Sequence, residues 1–278
     1  MELTRHQTAE GSCWACDGYL LPQQFNLHVL LSLPKQTLLE LLTLLPTGAP
    51  APPAVLPPIE SMHEVWASGV TYRWSRDARK AESAVADVYD MVYEAERPEL
   101  FFKAIGWRVV GDGMAVRARP DSTWDVPEPE LVLVINRDLE IVGYCAGNDM
   151  SSRSIEGENP LYLPQAKMYD ASCALGPGIV LAEPDMMRDL PIRLEITRNN
   201  GLVFEGETRT SQMKRQLEEL VGYLAKELAF PNGAFLMTGT GIVPPEAFSL
   251  QSGDLVQITV GACTLANPVI KNASGILP

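Results

Sequence analysis

Glu128 and Glu130 stand two residues apart in the segment VPEPELVLVIN. The apolar run that follows reads as a β-strand, where side chains at i and i+2 face the same way. Two carboxylates on one face repel unless something positive lies between them. The chain then turns at Asn136–Asp138 and runs back as a second strand ending near Asp149. Hairpin geometry thus carries a third carboxylate to the same edge. Asp149 overshoots the simple register by a few residues, so a bend is expected there. Three carboxylates without His or Cys specify a hard cation: Mg2+, Mn2+ or Ca2+. Three protein ligands leave positions open for water or substrate, which suits catalysis more than structure. The same spacing also fits a solvated acidic strand end, and spacing alone leaves both open.

Asp149 opens a second concentration of charge, GNDMSSRSIEGENPLYLPQAKMYD, from Gly147 to Asp170. Folding alone does not require Asp149, Arg153, Glu156 and Lys167 in one polar, turn-rich stretch.

The elements that position these residues are mostly strands. EVWASGVTY (Glu64–Tyr72) and ELFFKAIGWRVV read as strands, and ELVLVINRDLEIVGYCAGND as a hairpin. GAFLMTGT and DLVQITVGACTL close the set. Apolar residues at helical spacing predict helices over Ser75–Glu96, Gln36–Leu45 and the segment TSQMKRQLEELVGYLAKELAF. Strands in hairpins, without regular βαβ alternation, predict an α+β fold built on rolled sheets. The uncharged, Pro-rich residues 46–58 read as a linker. The expected division is a small N-terminal segment over 1–60 and a catalytic domain over 61–278.

The chain has 278 residues, 46% of them hydrophobic, enough for one sizeable core. Its net charge of −13 disfavours nucleic acid and anionic membranes as partners. No stretch approaches the roughly 20 apolar residues that span a bilayer. No basic n-region precedes VLLSL, so no signal peptide is expected and a cytoplasmic location is the default. Five scattered cysteines, including the Cys13/Cys16 pair, read as incidental thiols.

Several blocks in order resemble the fumarylacetoacetate hydrolase family. They are FFKAIGWRVVGDG, PEPELVLVI, GYCAGNDMSSRSIEGENPLYLPQAKMYDASCALGP, TGTGIVPP and LQSGDLVQITVGACTLANPV, across roughly residues 62–270. The resemblance implies a mixed β-sandwich roll. It also implies a divalent cation held by Glu128, Glu130 and Asp149, with Mg2+ the first choice and Mn2+ or Ca2+ the others. Ser151 and Arg153 fall on the family's Asp-x-Ser-x-Arg, Lys167 on its lysine and Thr240 on its Gly-Thr loop. Members commonly dimerise, and their substrates are small anionic 2-keto acids.

The family's hydrolases activate water with a histidine shortly after a G-x-N-Y strand. Here GVTY is followed by RWSRDAR, and the chain's histidines are His6, His28 and His63. EVWASGVTYRWSRDAR and RPELFFKA are instead similar to the family's sugar-acid dehydratases. This implies loss of water from a 2-keto-3-deoxy acid such as 2-dehydro-3-deoxy-D-arabinonate, giving 2,5-dioxopentanoate. Lys167 is the expected base, or a group that only balances the carboxylates. Glu99 is the second acid/base candidate. Arg153 and Ser151 would hold substrate oxygens, Glu156 and Gln165 would read hydroxyls, and Thr240 would meet the carboxylate. The competing reading is a hydrolase or decarboxylase of acylpyruvate, fumarylacetoacetate-like or oxaloacetate substrates.

Overall fold

The computed structural model describes residues 1–45, 48–53, 55–73 and 86–271. It begins with β1 (Glu2–Thr8), β2 (Gly11–Cys16), β3 (Tyr19–Leu20), α1 (Leu27–Leu31), α2 (Lys35–Leu44) and β4 (Val55–Leu56). Next come β5 (Glu64–Gly69), α3 (Ala86–Glu94), β6 (Glu99–Ile105), β7 (Val116–Arg117) and β8 (Asp125–Val126). The long hairpin of β9 (Pro129–Ile135) and β10 (Ile141–Asp149) leads into β11 (Ser151–Ser152), α4 (Arg153–Glu158) and α5 (Leu163–Lys167). β12 (Cys173–Leu181), α6 (Pro184–Met187), β13 (Pro191–Arg198), β14 (Gly201–Arg209) and α7 (Leu217–Leu224) follow. β15 (Ala234–Met237), β16 (Leu255–Val260) and β17 (Cys263–Ile270) complete the fold. Residues 75–85 of the helix expected over Ser75–Glu96 lie outside the described residues.

A ten-stranded sheet runs β3-β2-β1-β12-β10-β9-β15-β5-β6, with β4 added on β1. A five-stranded sheet, β14-β13-β16-β17-β7, packs on one of its faces. Leu131, Leu133 and Ile135 of β9 meet Ile192, Leu194 and Ile196 of β13 and Ile258 of β16 in that layer. Val132 and Val134 point the other way, into a second core with Leu27 and Leu30 of α1, Leu38 of α2 and Phe235 of β15. β9 is therefore buried on both faces, which explains its unbroken apolar run. Each of those fully buried side chains contributes roughly 1.5–3 kcal/mol relative to exposure. This is the α+β, mixed-sheet architecture expected.

The N-terminal residues share this sheet and core. Glu2 and Leu3 of β1 pair with Val180 and Ile179 of β12. The helices α1 and α2 cover the face from which Val132 points. Among the described residues no helix is long and apolar enough to cross a membrane. All five cysteines are buried free thiols.

Two local expectations are corrected. Asp149 does not overshoot its partner, because its N–H donates to the Glu128 carbonyl at 2.9 Å. The offset is absorbed earlier, by a turn closed from Asn136 to Glu140 and by a bulge between Ile141 and Gly143. The helix expected across residues 210–230 is confined to Leu217–Leu224. Lys214 N–H is taken by the Thr71 carbonyl and Met213 bridges Tyr72, which holds the preceding chain extended. A reciprocal Gln216–Glu219 capping box then starts the helix.

Candidate active site

The hairpin brings its carboxylates together by register. Gly147 pairs with Glu130 and Asn148 with Pro129, so Asp149 lies beside Glu128. Glu130 shares the facing of Val132, two residues on. One oxygen from each of Glu128, Glu130 and Asp149 falls within 4.8 Å of the others, and all three residues are buried.

Buried cations surround this cluster. Lys167, at the end of α5, lies 2.9 Å from Glu128 Oε2 and 3.0 Å from Asp149 Oδ2. Arg153, at the start of α4, reaches Glu128 Oε1 at 3.1 Å. Lys103 of β6 lies 2.5 Å from Asp149 Oδ1. Glu130 accepts the Gly239 N–H at 2.6 Å. Gly239 has φ +93°, and a side chain there would run into the Thr71 hydroxyl, so only glycine aims this N–H without strain.

Burial, then the charges of Asp149 and Glu128, push the Glu130 carboxyl well above its ordinary range, against the opposing pull of Lys167 and the Gly239 N–H. A hard divalent cation fits this donor set. It is oxygen-only, drawn from three carboxylates, and their mutual repulsion is what such a charge would relieve.

The cluster opens into a cavity of about 20 Å3, room for roughly one water molecule or ion. Glu99, Glu156, Lys167 and Thr240 line it beside Glu128 and Asp149, with Phe101 and Leu163 as apolar walls. Glu156 is tied down by the Ser151 hydroxyl, which donates to Oε2 at 2.8 Å. Thr240 Oγ1 both accepts from the Ile242 N–H and donates to the Ile242 carbonyl, each at 3.2 Å. Arg153 and Ser151 support Glu128 and Glu156 and do not line the cavity themselves. Gln165 is not brought to the site: its side chain is exposed, and its carbonyl accepts from Arg119 at the surface.

No histidine lines this cavity. His63 is buried elsewhere, between the Glu60 N–H and the Asn232 carbonyl.

Lys103, Gly69 and Gly239 were not singled out in the sequence. A lysine inside the apolar strand ELFFKAI was a usable signal, because a fully buried lysine is rare unless paired.

Residues 64–270 match the family model described as fumarylacetoacetate (FAA) hydrolase C-terminal. A probable 2-keto-3-deoxyxylonate dehydratase of Haloferax volcanii is 50% identical over 208 residues, covering 74% of this chain and 72% of that protein. A 2-dehydro-3-deoxy-D-arabinonate dehydratase of Saccharolobus solfataricus is 44% identical over 215 residues, covering 75% of this chain and 72% of that protein. A solved 2-keto-3-deoxy-D-arabinonate dehydratase, complexed with magnesium and 2,5-dioxopentanoate, superposes with a TM-score of 0.85 at 33% identity. That match spans 99% of this chain and all of the other. With the family's model matching about three quarters of its length, this chain belongs to the fumarylacetoacetate hydrolase family.

Proposed function

We propose that this chain is a divalent-cation-dependent hydro-lyase that removes water from a 2-keto-3-deoxy sugar acid. Magnesium is the favoured cation, and 2-dehydro-3-deoxy-D-arabinonate or its xylonate counterpart the favoured substrate, with 2,5-dioxopentanoate as product. The observation that carries the reading is a three-carboxylate cluster opening into a cavity lined by Glu99 and Lys167 and by no histidine. The two dehydratase relatives support the same choice.

Glu128, Glu130 and Asp149 would hold the cation, which when bound polarises a 2-keto oxygen and makes the neighbouring C3 proton more acidic. Dehydration needs one group to take a proton from C3 and one to give a proton to the departing C4 oxygen. Lys167 and Glu99 both line the cavity. We assign Lys167 to the C3 proton and Glu99 to the C4 hydroxyl. The C3–H electron pair becomes the C3–C4 double bond as the C4–O bond breaks, and water leaves with the donated proton. Tautomerisation of the remaining enone, through its C5 alcohol, gives the dicarbonyl product.

Thr240 offers a hydroxyl at the cavity wall for the substrate's oxygens. Glu156, pinned by Ser151, offers an acceptor to a substrate hydroxyl. Arg153 holds Glu128 in place. Water activation by a histidine, which C–C hydrolysis would use, has no candidate residue in the cavity.

The family resemblance favours a homo-oligomer, dimeric or larger, which light scattering on the purified protein tests, and the cytoplasm is the default location. For the reaction, the protein and Mg2+ are incubated with 2-keto-3-deoxypentonate and the products followed. Formation of 2,5-dioxopentanoate, abolished by EDTA, is expected. Turnover of an acylpyruvate or oxaloacetate with none of the pentonate overturns the proposal.

A further inference from the structure

We propose that Lys103 is a positioning residue that commits Asp149 to the cation site through a single oxygen. This rests on the reading of Glu128, Glu130 and Asp149 as cation ligands.

Lys103 comes from β6, the far edge strand of the large sheet, four places from β10. The sheet curls enough to bring it back. Val110, just downstream, bridges Ala174 of β12, and their neighbourhood exchanges hydrogen bonds from Val110 N–H to Cys173 O and from Leu175 N–H to Val110 O. The Lys103 side chain is fully buried, and three oxygens surround its ammonium. They are Asp149 Oδ1 at 2.5 Å, the Met150 carbonyl at 3.1 Å and the Lys167 carbonyl at 2.5 Å.

Taking an ammonium wholly out of water costs several kcal/mol, and an ion pair does not by itself recover that. The arrangement around Lys103 does something that an apolar side chain would not. It joins the end of the ligand-bearing strand to the residue that carries the Lys167 side chain. It also divides the Asp149 carboxylate: Oδ1 is ion-paired with Lys103, and Oδ2 accepts from Lys167. Without Lys103, the Asp149 carboxylate is held among the described residues only at Oδ2 and can rotate, turn both oxygens inward or swing away, and the Lys167 carbonyl keeps only the Ser172 hydroxyl. Lys103 acts through Asp149 and Lys167, and does not line the cavity.

Manganese(II) binding to the full chain, followed by electron paramagnetic resonance, is measured for wild type and Lys103→Met, with folding checked by circular dichroism. Binding by the wild type, with affinity ten- to a hundredfold weaker in the folded variant, is expected for a lost ligand-orienting contact. Equal or tighter binding in the variant overturns the role of Lys103 alone. No binding by the wild type overturns the reading of the carboxylates as well. Should Lys103→Met fail to fold, a crystal structure of the wild type with Mn2+ decides. One Asp149 oxygen on the ion and the other on Lys103 is expected, and both oxygens on the ion overturn the proposal.

Discussion

The Glu99 carboxylate rests against the bare α-carbon of Gly69, its cross-strand partner, so that any side chain at residue 69 would overlap Glu99 Oε2. The two face each other across β5 and β6, and both line the cavity. Glycine in a strand normally weakens it, and one use that justifies the loss is close approach of another group. Here the group that approaches is the proposed proton donor.

Gly69→Ala is therefore expected to push the Glu99 carboxylate out of position while leaving the cation ligands alone. Turnover should fall on the order of 10–100-fold, a fraction of what a general acid supplies. Mn2+ affinity should stay within about twofold of wild type, reported by the same titration. Near-native kcat in both Gly69→Ala and Glu99→Gln would remove Glu99 from the mechanism.

Glu130 carries an electrostatic conflict, because burial, Asp149 and Glu128 all oppose its charge. A cation that binds only the folded protein stabilises it by about 2.7 kcal/mol at a hundredfold excess over Kd. Adding Mg2+ or Mn2+ should raise the wild-type melting temperature accordingly. Glu130→Gln keeps an oxygen for the Gly239 N–H and removes the repulsion. It should melt no lower than wild type without cation and show no cation-dependent rise. A full rise in the variant would sink the ligand assignment.

Gly239 tests the loop beneath that carboxylate. Its φ of +93° and the nearby Thr71 hydroxyl leave no room for a side chain. Gly239→Ala should lose about 1–3 kcal/mol in denaturant unfolding and weaken Mn2+ binding together, since the displaced N–H is the one donated to Glu130. Unchanged stability would mean the loop adapts at no cost.

The three-carboxylate cluster was legible in the sequence and its surroundings were not, for a physical reason. Glu128 and Glu130 obey the two-residue period of a strand, and one hairpin adds Asp149, so local rules suffice. Its register was misjudged because the turn closes at Glu140 and a bulge follows, neither of which the apolar pattern marks. ELFFKAI marked Lys103 as a buried lysine in need of a partner, but which partner was out of reach, because it depends on how far a ten-stranded sheet curls. The helix over 210–230 was overextended because apolar spacing runs on to Leu228, which is exposed. Gln165 sits between two residues of opposite exposure, exposed Pro164 and buried Ala166, and a short helix leaves its facing undecided from sequence.

His63 should give the fold a pH dependence of its own. Burial holds its imidazole below the ordinary 6.5, the Glu60 charge and Asn232 carbonyl notwithstanding. The unfolded chain therefore takes up a proton before the native one as pH falls. Its contribution to stability is complete above about pH 6.5 and lost as pH falls toward the lower, native value, at no more than about 1.4 kcal/mol per pH unit. Melting temperatures of wild type and His63→Gln between pH 7.5 and 5 should converge as pH drops. Parallel curves would show that His63 titrates alike in both states.

Lys167 separates proton transfer from charge balance. Its ammonium bridges Glu128 and Asp149, so a cation at this position matters whatever else it does. Arginine keeps the charge but does not give up its proton at any working pH. Lys167→Arg, if it retains Mn2+ binding and a native melting curve, should still lose turnover by roughly 10²–10⁴-fold, the range for a lost general base. Lys167→Ala, by contrast, leaves two buried carboxylates without their shared ammonium. It should lose stability in the cation-free protein as well as turnover, with saturating Mn2+ restoring the stability alone. A fast Lys167→Arg enzyme would leave Lys167 as the counter-charge and require another group lining the cavity, Glu99 or Glu156, to take the C3 proton.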